Sequence, residues 1–202
     1  MINTLTTEPA PEPDEITLKR PIVLVGLMGA GKSSVGKRLA AALGVAFLDS
    51  DAEVEAAASL SIPEIFETLG EDAFRDGERR VIARLLDGPP RVIATGGGAY
   101  LNAETRAAIA AKGVAVWLDA SLETLWGRVK GRSGRPLLET ADPRGTLAAL
   151  LAARAPIYAE AETRVESAAH EPHEAVVARI IDALRARDAG LAPDLRSFEG
   201  PE

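Results

Sequence analysis

The chain has 202 residues, 47% apolar and 26% charged, which suits one globular domain and leaves little length for two with linkers. Aromatics are only 4%, so the core must be mostly Ala, Val, Leu and Ile; a net charge of −7 argues against a broad nucleic-acid surface, and the positive charge for any small anion must come from a few placed arginines. There is no cysteine, which excludes disulfides, thiolate metal sites and cysteine nucleophiles.

Residues 1–19, with acids between Pro9, Pro11 and Pro13, read as a solvated tail. They lack the basic start and apolar stretch of a secretory signal, and no apolar run approaches the ~20 residues of a transmembrane helix, so the chain reads as cytoplasmic. From residue 20 to 187, short apolar runs alternate with helical segments, the pattern of a parallel sheet covered on both faces, a three-layer α/β/α domain.

The first strand is expected at Ile22–Val25. It leads into Gly26-x-x-x-x-Gly31-Lys32-Ser33, followed by a helix over Lys32–Leu43. That strand–loop–helix context is what a Walker A phosphate cradle requires. Glycines at 26, 29 and 31 let backbone N–H groups at Gly29, Ala30 and Gly31 approach phosphate oxygens, and the helix N-terminus adds its dipole. Lys32 would reach the β- and γ-phosphates of ATP, Ser33 would ligate Mg²⁺, and Ser34 offers a second hydroxyl.

The second strand, Ala46–Leu48, runs into Asp49-Ser50-Asp51. Carboxylates at the carboxyl end of a parallel strand can serve a ligand site, one through a metal-bound water and one through a substrate hydroxyl. Either could equally cap the next helix, Asp51–Ala58. Helices follow at Ile62–Thr68 and Glu71–Leu86; on the latter Arg75 and Glu78, three apart, can pair on an otherwise ordinary helix surface. A third strand, Val92–Thr95, ends in Gly96-Gly97-Gly98, either a flexible turn or a place where backbone closely approaches a ligand.

Beyond a helix at Ala103–Ala110, a strand at Val114–Leu118 and a helix at Leu122–Val129 comes the basic segment Arg128–Leu138. It reads either as a solvated loop or as a mobile lid (about 128–142) that closes over phosphates. Asp142-Pro143 and Glu171-Pro172 mark helix starts, with proline at the first helical position of Pro143–Tyr158 and Pro172–Arg187. Between them lies a less marked strand, Thr163–Glu166. His170 and His173 read as surface residues flanking Pro172, and 188–202 as a second flexible tail.

The ordered set GLMGAGKS, FLDSD, IFETLGEDAFRDGE, TGGGA, RPLL and RAPIY resembles the shikimate kinases over about Pro21–Ile180. No motif beyond the cradle is specific alone, but the ensemble is. The resemblance implies a P-loop fold of nucleoside-monophosphate-kinase type, with a five-stranded parallel sheet in order 2-3-1-4-5. It also implies transfer of the ATP γ-phosphoryl group to the 3-hydroxyl of shikimate, a step toward chorismate and the aromatic amino acids, by a monomer.

Carried over by position, the resemblance implies that Asp51 bonds the reacting hydroxyl and that Asp49 orders Mg²⁺ through water beside Ser33. Arg75 and Arg154 would hold the substrate carboxylate, Glu78 would orient Arg75, and Gly97, between Gly96 and Gly98, would contact substrate through its backbone. Arg135 would reach the phosphates from the lid, and Arg128 would pack against adenine. The family's late nucleotide-facing arginine has no counterpart in Ser167–Pro172. Two alternatives share the cradle: another small P-loop kinase such as a gluconate kinase, which would lack the Asp51, Arg75 and Arg154 set, and a kinase-like regulator without turnover.

Overall fold

The structure, a computed structural model, describes residues 17–131 and 136–199. Arg135 and the centre of the expected lid lie outside the described residues, as do residues 1–16 and 200–202.

Five parallel strands form one sheet in the order β2-β3-β1-β4-β5, as the resemblance implied. They are β1 (Ile22–Val25), β2 (Ala46–Asp49), β3 (Arg91–Ala94), β4 (Val114–Asp119) and β5 (Thr163–Glu166). β1 is the central strand because it is apolar at every position: all four residues are fully buried, paired with β3 on one side and β4 on the other. β5, an edge strand, alternates buried Thr163 and Val165 with exposed Arg164 and Glu166. The helices are α1 (Lys32–Ala42), α2 (Ser50–Ala58), α3 (Ile62–Leu86), α4 (Ala103–Lys112), α5 (Leu122–Val129), α6 (Pro143–Tyr158) and α7 (His173–Asp188). They cover the sheet's faces, with α1 packed beside α7 and α3 beside α4.

Local chemistry sets several boundaries. Gly70 breaks α3 with φ 82° and ψ 173°, so the segment is two helical pieces, as the sequence suggests. Ser61 and Glu64 close a capping box at its start, and Asp142 caps α6 by accepting from Gly145 N at 2.9 Å. At α7 the expectation shifts by one residue: Pro172 is the N-cap rather than the first helical residue, and Glu171 pairs with Arg179.

The tail boundaries also need correction. Residues 17–19 and 188–199 are not a plain solvated tail at each end: Leu18, Asp188, Ser197 and Phe198 are buried, while most of their neighbours stay exposed. Leu18 and Phe198, 5% and 6% exposed, face each other in an antiparallel bridge. Lys19 N donates to Ser197 O at 2.8 Å and Glu199 N to Thr17 O at 2.9 Å. The buried Asp188 carboxylate accepts from Ser197 N at 2.7 Å and Phe198 N at 3.0 Å. Isolated apolar residues in polar stretches leave no periodic pattern, so this clasp exists only through its tertiary partner.

Candidate active site

The functional side chains gather at the carboxyl ends of the strands, where an open parallel sheet presents its crevice. A cleft of about 530 Å³ runs from the cradle past Asp49, Asp51 and Gly96 to Arg128 and the start of α7.

The cradle follows β1 through Gly26, whose φ of 135° only glycine adopts readily and where a Cβ would meet Leu118 O at 2.7 Å. α1 begins at Lys32 with no side-chain cap on its first N–H groups, which suits an anion there. Lys32 Nζ donates to Gly26 O at 2.7 Å and Leu27 O at 3.1 Å, folded along the loop it serves. Ser33 Oγ donates to Asp49 Oδ2 at 2.7 Å. The other Asp49 oxygen accepts from Asp51 N at 3.1 Å, so Asp49 caps α2 and also faces Ser33. Both roles weighed for this residue are compatible, because a carboxylate has two oxygens.

Beside it, Asp51 Oδ1 is buried without a hydrogen-bond partner. Burial, with help from the neighbouring Asp49 and Glu78 carboxylates, raises the Asp51 pKa to about 6. The glycine turn after β3 explains how this oxygen is approached so closely: a Cβ at Gly96 would lie 2.6 Å from Asp51 Oδ1, and one at Gly98 would lie 2.7 Å from Arg75 Nη1.

Two arginines flank that turn. Arg75 Nη1 donates to Glu78 Oε2 at 2.8 Å, and its guanidinium lies 5.0 Å from the Phe74 ring centroid. Glu78 is 3% exposed, and burial raises its pKa even against the ion pair with Arg75. Arg154 Nη1, from α6, donates to Gly97 O at 3.2 Å, and the buried Tyr158 hydroxyl donates to the same carbonyl. Thus Asp51, Arg75, Arg154 and residues 96–98 come together.

At the far end of the cleft, Arg128 is held by backbone and hydroxyl acceptors. Its Nη1 donates to Gly29 O at 3.1 Å, Ala30 O at 3.2 Å and Ser167 Oγ at 2.9 Å, and its Nη2 to Ala168 O at 2.7 Å.

A family model described as shikimate kinase matches residues 28–185. The chain belongs to the shikimate kinase family. A shikimate kinase of Caulobacter vibrioides is 61% identical over 164 residues, covering 81% of this chain and 82% of the relative. One of Bradyrhizobium diazoefficiens is 52% identical over 188 residues, covering 92% of this chain and 90% of the relative. Among solved structures, the shikimate kinase of Acinetobacter baumannii in complex with shikimate has a TM-score of 0.80 at 36% identity, over 86% of this chain and 96% of that one.

For a shikimate kinase, the cleft also contains residues the sequence did not single out. Ser167, Glu171, His173 and Val176 line it toward Arg128. His173 is half-buried there rather than a plain surface residue, whereas His170 is exposed. Their only sequence signal was position, since the β5–α7 junction is another strand's carboxyl end. Ser34 lines the cleft beside the cradle. Among the described residues no group of three or more His, Asp or Glu could hold a metal, and no helix is long and apolar enough to cross a membrane.

Proposed function

We propose that this chain transfers the γ-phosphoryl group of ATP to the 3-hydroxyl of shikimate, giving shikimate 3-phosphate and ADP. The observation that carries this reading is the buried, unpartnered Asp51 Oδ1, which lines one cleft with the phosphate cradle and lies beside the glycine turn that Arg75 and Arg154 flank. A buried acceptor without a donor costs about 1–3 kcal/mol, so it fits a ligand hydroxyl that supplies the missing proton donor.

The roles are those the resemblance implies, and the geometry supports them. Arg75 and Arg154, on either side of Gly96, Gly97 and Gly98, bind the substrate carboxylate through planar guanidinium donors; each such charge-assisted bond contributes about 1.5–3 kcal/mol. Glu78 fixes the direction of Arg75. Asp51 aligns the 3-hydroxyl with the γ-phosphorus. The hydroxyl oxygen bonds to phosphorus as the bond to the bridging β-phosphate oxygen breaks, and Asp51 takes the hydroxyl proton once the new ester bond has formed. Because this transition state is loose, alignment and charge stabilisation contribute more than base strength.

The N–H groups of Gly29, Ala30 and Gly31, with Lys32, Ser33 and Ser34, hold the phosphates, and Arg128 packs against the adenine. Arg135, outside the described residues, is assigned by resemblance to the transferring phosphoryl group. The oxygens of Ser33 and Asp49, 2.7 Å apart beside the cradle, fit Mg²⁺, with Asp49 acting through water. When bound, Mg²⁺ neutralises charge between the β- and γ-phosphates. We place the enzyme in the cytoplasm as a monomer.

The deciding experiment is a coupled assay of ADP release from MgATP with shikimate or gluconate as acceptor. Turnover with shikimate alone is expected. No ADP above background with shikimate would overturn the reading.

A further inference from the structure

The segment that joins β5 to α7 carries no arginine of its own, yet one reaches it from behind. Arg179, on the second turn of α7, forms a two-pronged ion pair with Glu171: Nη1 meets Oε1, and Nη2 meets Oε2 at 2.7 Å. The same Nη2 donates to Glu166 O at 2.7 Å. Glu166 and Glu171 bracket residues 167–170, so a single guanidinium ties both ends of the segment together. The Arg179 pair, with a smaller contribution from the Ala168 backbone N–H, holds the Glu171 carboxyl below its usual range. His170, a non-glycine residue in the left-handed region at φ 60°, sits in a backbone conformation that needs such support.

What this segment presents to the cleft is the seat of Arg128. Ser167 Oγ and Ala168 O together accept two of its bonds, and the remaining bonds reach the cradle carbonyls of Gly29 and Ala30. Hydrogen bonds at each end and the backbone of residues 166–171 between them therefore connect Arg179 to Arg128 and the cradle. Arg179 is absent from the lining of the cleft.

We propose that Arg179 is a positioning residue for nucleotide binding, acting through Glu171 and the Glu166 carbonyl on the segment that seats Arg128. The proposal rests on the reading that Arg128 faces the nucleotide. The Arg179 side chain is 42% exposed and that of Glu171 18%; solvent screening at Arg179 keeps the pair's share of global stability modest, so its effect is local and specific to one substrate. Lysine, a point donor without a fork, cannot span Glu171 and Glu166 together.

The test measures ADP affinity by equilibrium titration without shikimate, and separately the KM for each substrate. Arg179→Ala should weaken ADP binding and raise the KM for ATP by about fivefold or more. The KM for shikimate should stay within about twofold and the melting temperature nearly constant. Arg179→Lys should fall between wild type and Ala. Glu171→Gln should act in the same direction, and adding it to Arg179→Ala should bring little further loss, because both break one chain of contacts. Glu174→Ala, on the same helix as Arg179, removes an exposed pair with Arg38 of α1 and should leave ADP binding as in wild type.

Unchanged ADP affinity in Arg179→Ala would overturn the proposal. So would an equal rise in both KM values accompanied by a lowered melting temperature, which is the mark of a merely structural pair. Because the ADP titration needs no turnover, failure of shikimate as acceptor would overturn the proposed function and leave this test intact.

Discussion

The two ends of the candidate site hold their arginines by different means. At the substrate end Arg75 is fixed by the buried Glu78 carboxylate, next to a second buried carboxyl, Asp51. At the nucleotide end Arg128 is fixed by three carbonyls and a hydroxyl, and the nearest ion pair, Arg179 with Glu171, stands behind the segment. The difference teaches where protons matter. Buried carboxylates make the end at Arg75 sensitive to pH, whereas the groups that hold Arg128 are neutral acceptors that do not titrate in that range.

The largest expected effect lies where chemistry meets that buried charge. Lys32→Ala and Asp51→Asn should each lower kcat by about a thousandfold or more, read by ADP release at saturating substrates. Asp51→Asn carries a second signature. A carboxyl whose pKa is raised on folding favours its protonated form in the native state. Its contribution to stability is complete below 3.8 and is lost as pH rises through about 6. At pH 7.5 the ionised group is therefore a cost, and Asp51→Asn should melt at a higher temperature than wild type while being inactive. A lower melting temperature would show that Asp51 is not strained by its burial.

Next comes substrate affinity. Arg154→Ala should raise the KM for shikimate about tenfold or more while the KM for ATP stays within about twofold. Loss of ATP affinity with shikimate affinity unchanged would assign Arg154 to the wrong end.

A subtler effect is expected in the pH profile. If Asp51 must be ionised to align the hydroxyl, kcat/KM for shikimate should fall with acid, with a limb near pH 6. Glu78→Gln removes one of the negative charges that raise the Asp51 pKa, so the limb should move to lower pH. A limb that stays in place would separate Glu78 from Asp51. The KM for ATP should show no matching limb from Arg128.

The smallest effect on catalysis belongs to the terminal clasp. Asp188→Ala strands the Ser197 and Phe198 N–H groups and should lower the melting temperature by roughly 3–8 °C with both KM values unchanged. Altered kinetics there would mean that the termini communicate with the cleft.

Much of the site was legible because its chemistry is local. The cradle needs glycines, a lysine and a hydroxyl at fixed offsets between a buried strand and a helix, and all are contiguous in residues 26–33. Asp49 and Asp51 lie directly beyond β2, and the glycines directly beyond β3, so the rule for strand ends located both. The seat of Arg128 was not legible, since Ser167 and Ala168 lie some forty residues away and approach only through the β4–β5 pairing. The packing of residues 188–199 was missed for the same reason.

The sequence by itself determined the strands, the helix breaks and the phosphate cradle, because buried runs, turn residues and backbone conformations act over a few neighbours. Only the tertiary structure decided that Asp51 would be buried beside Asp49 and Glu78, that Arg75 and Arg154 would flank one glycine turn, and that Arg179 would reach the nucleotide side. Burial, charge proximity and donor–acceptor pairing depend on distances in space, and sheet order, not sequence separation, sets those distances.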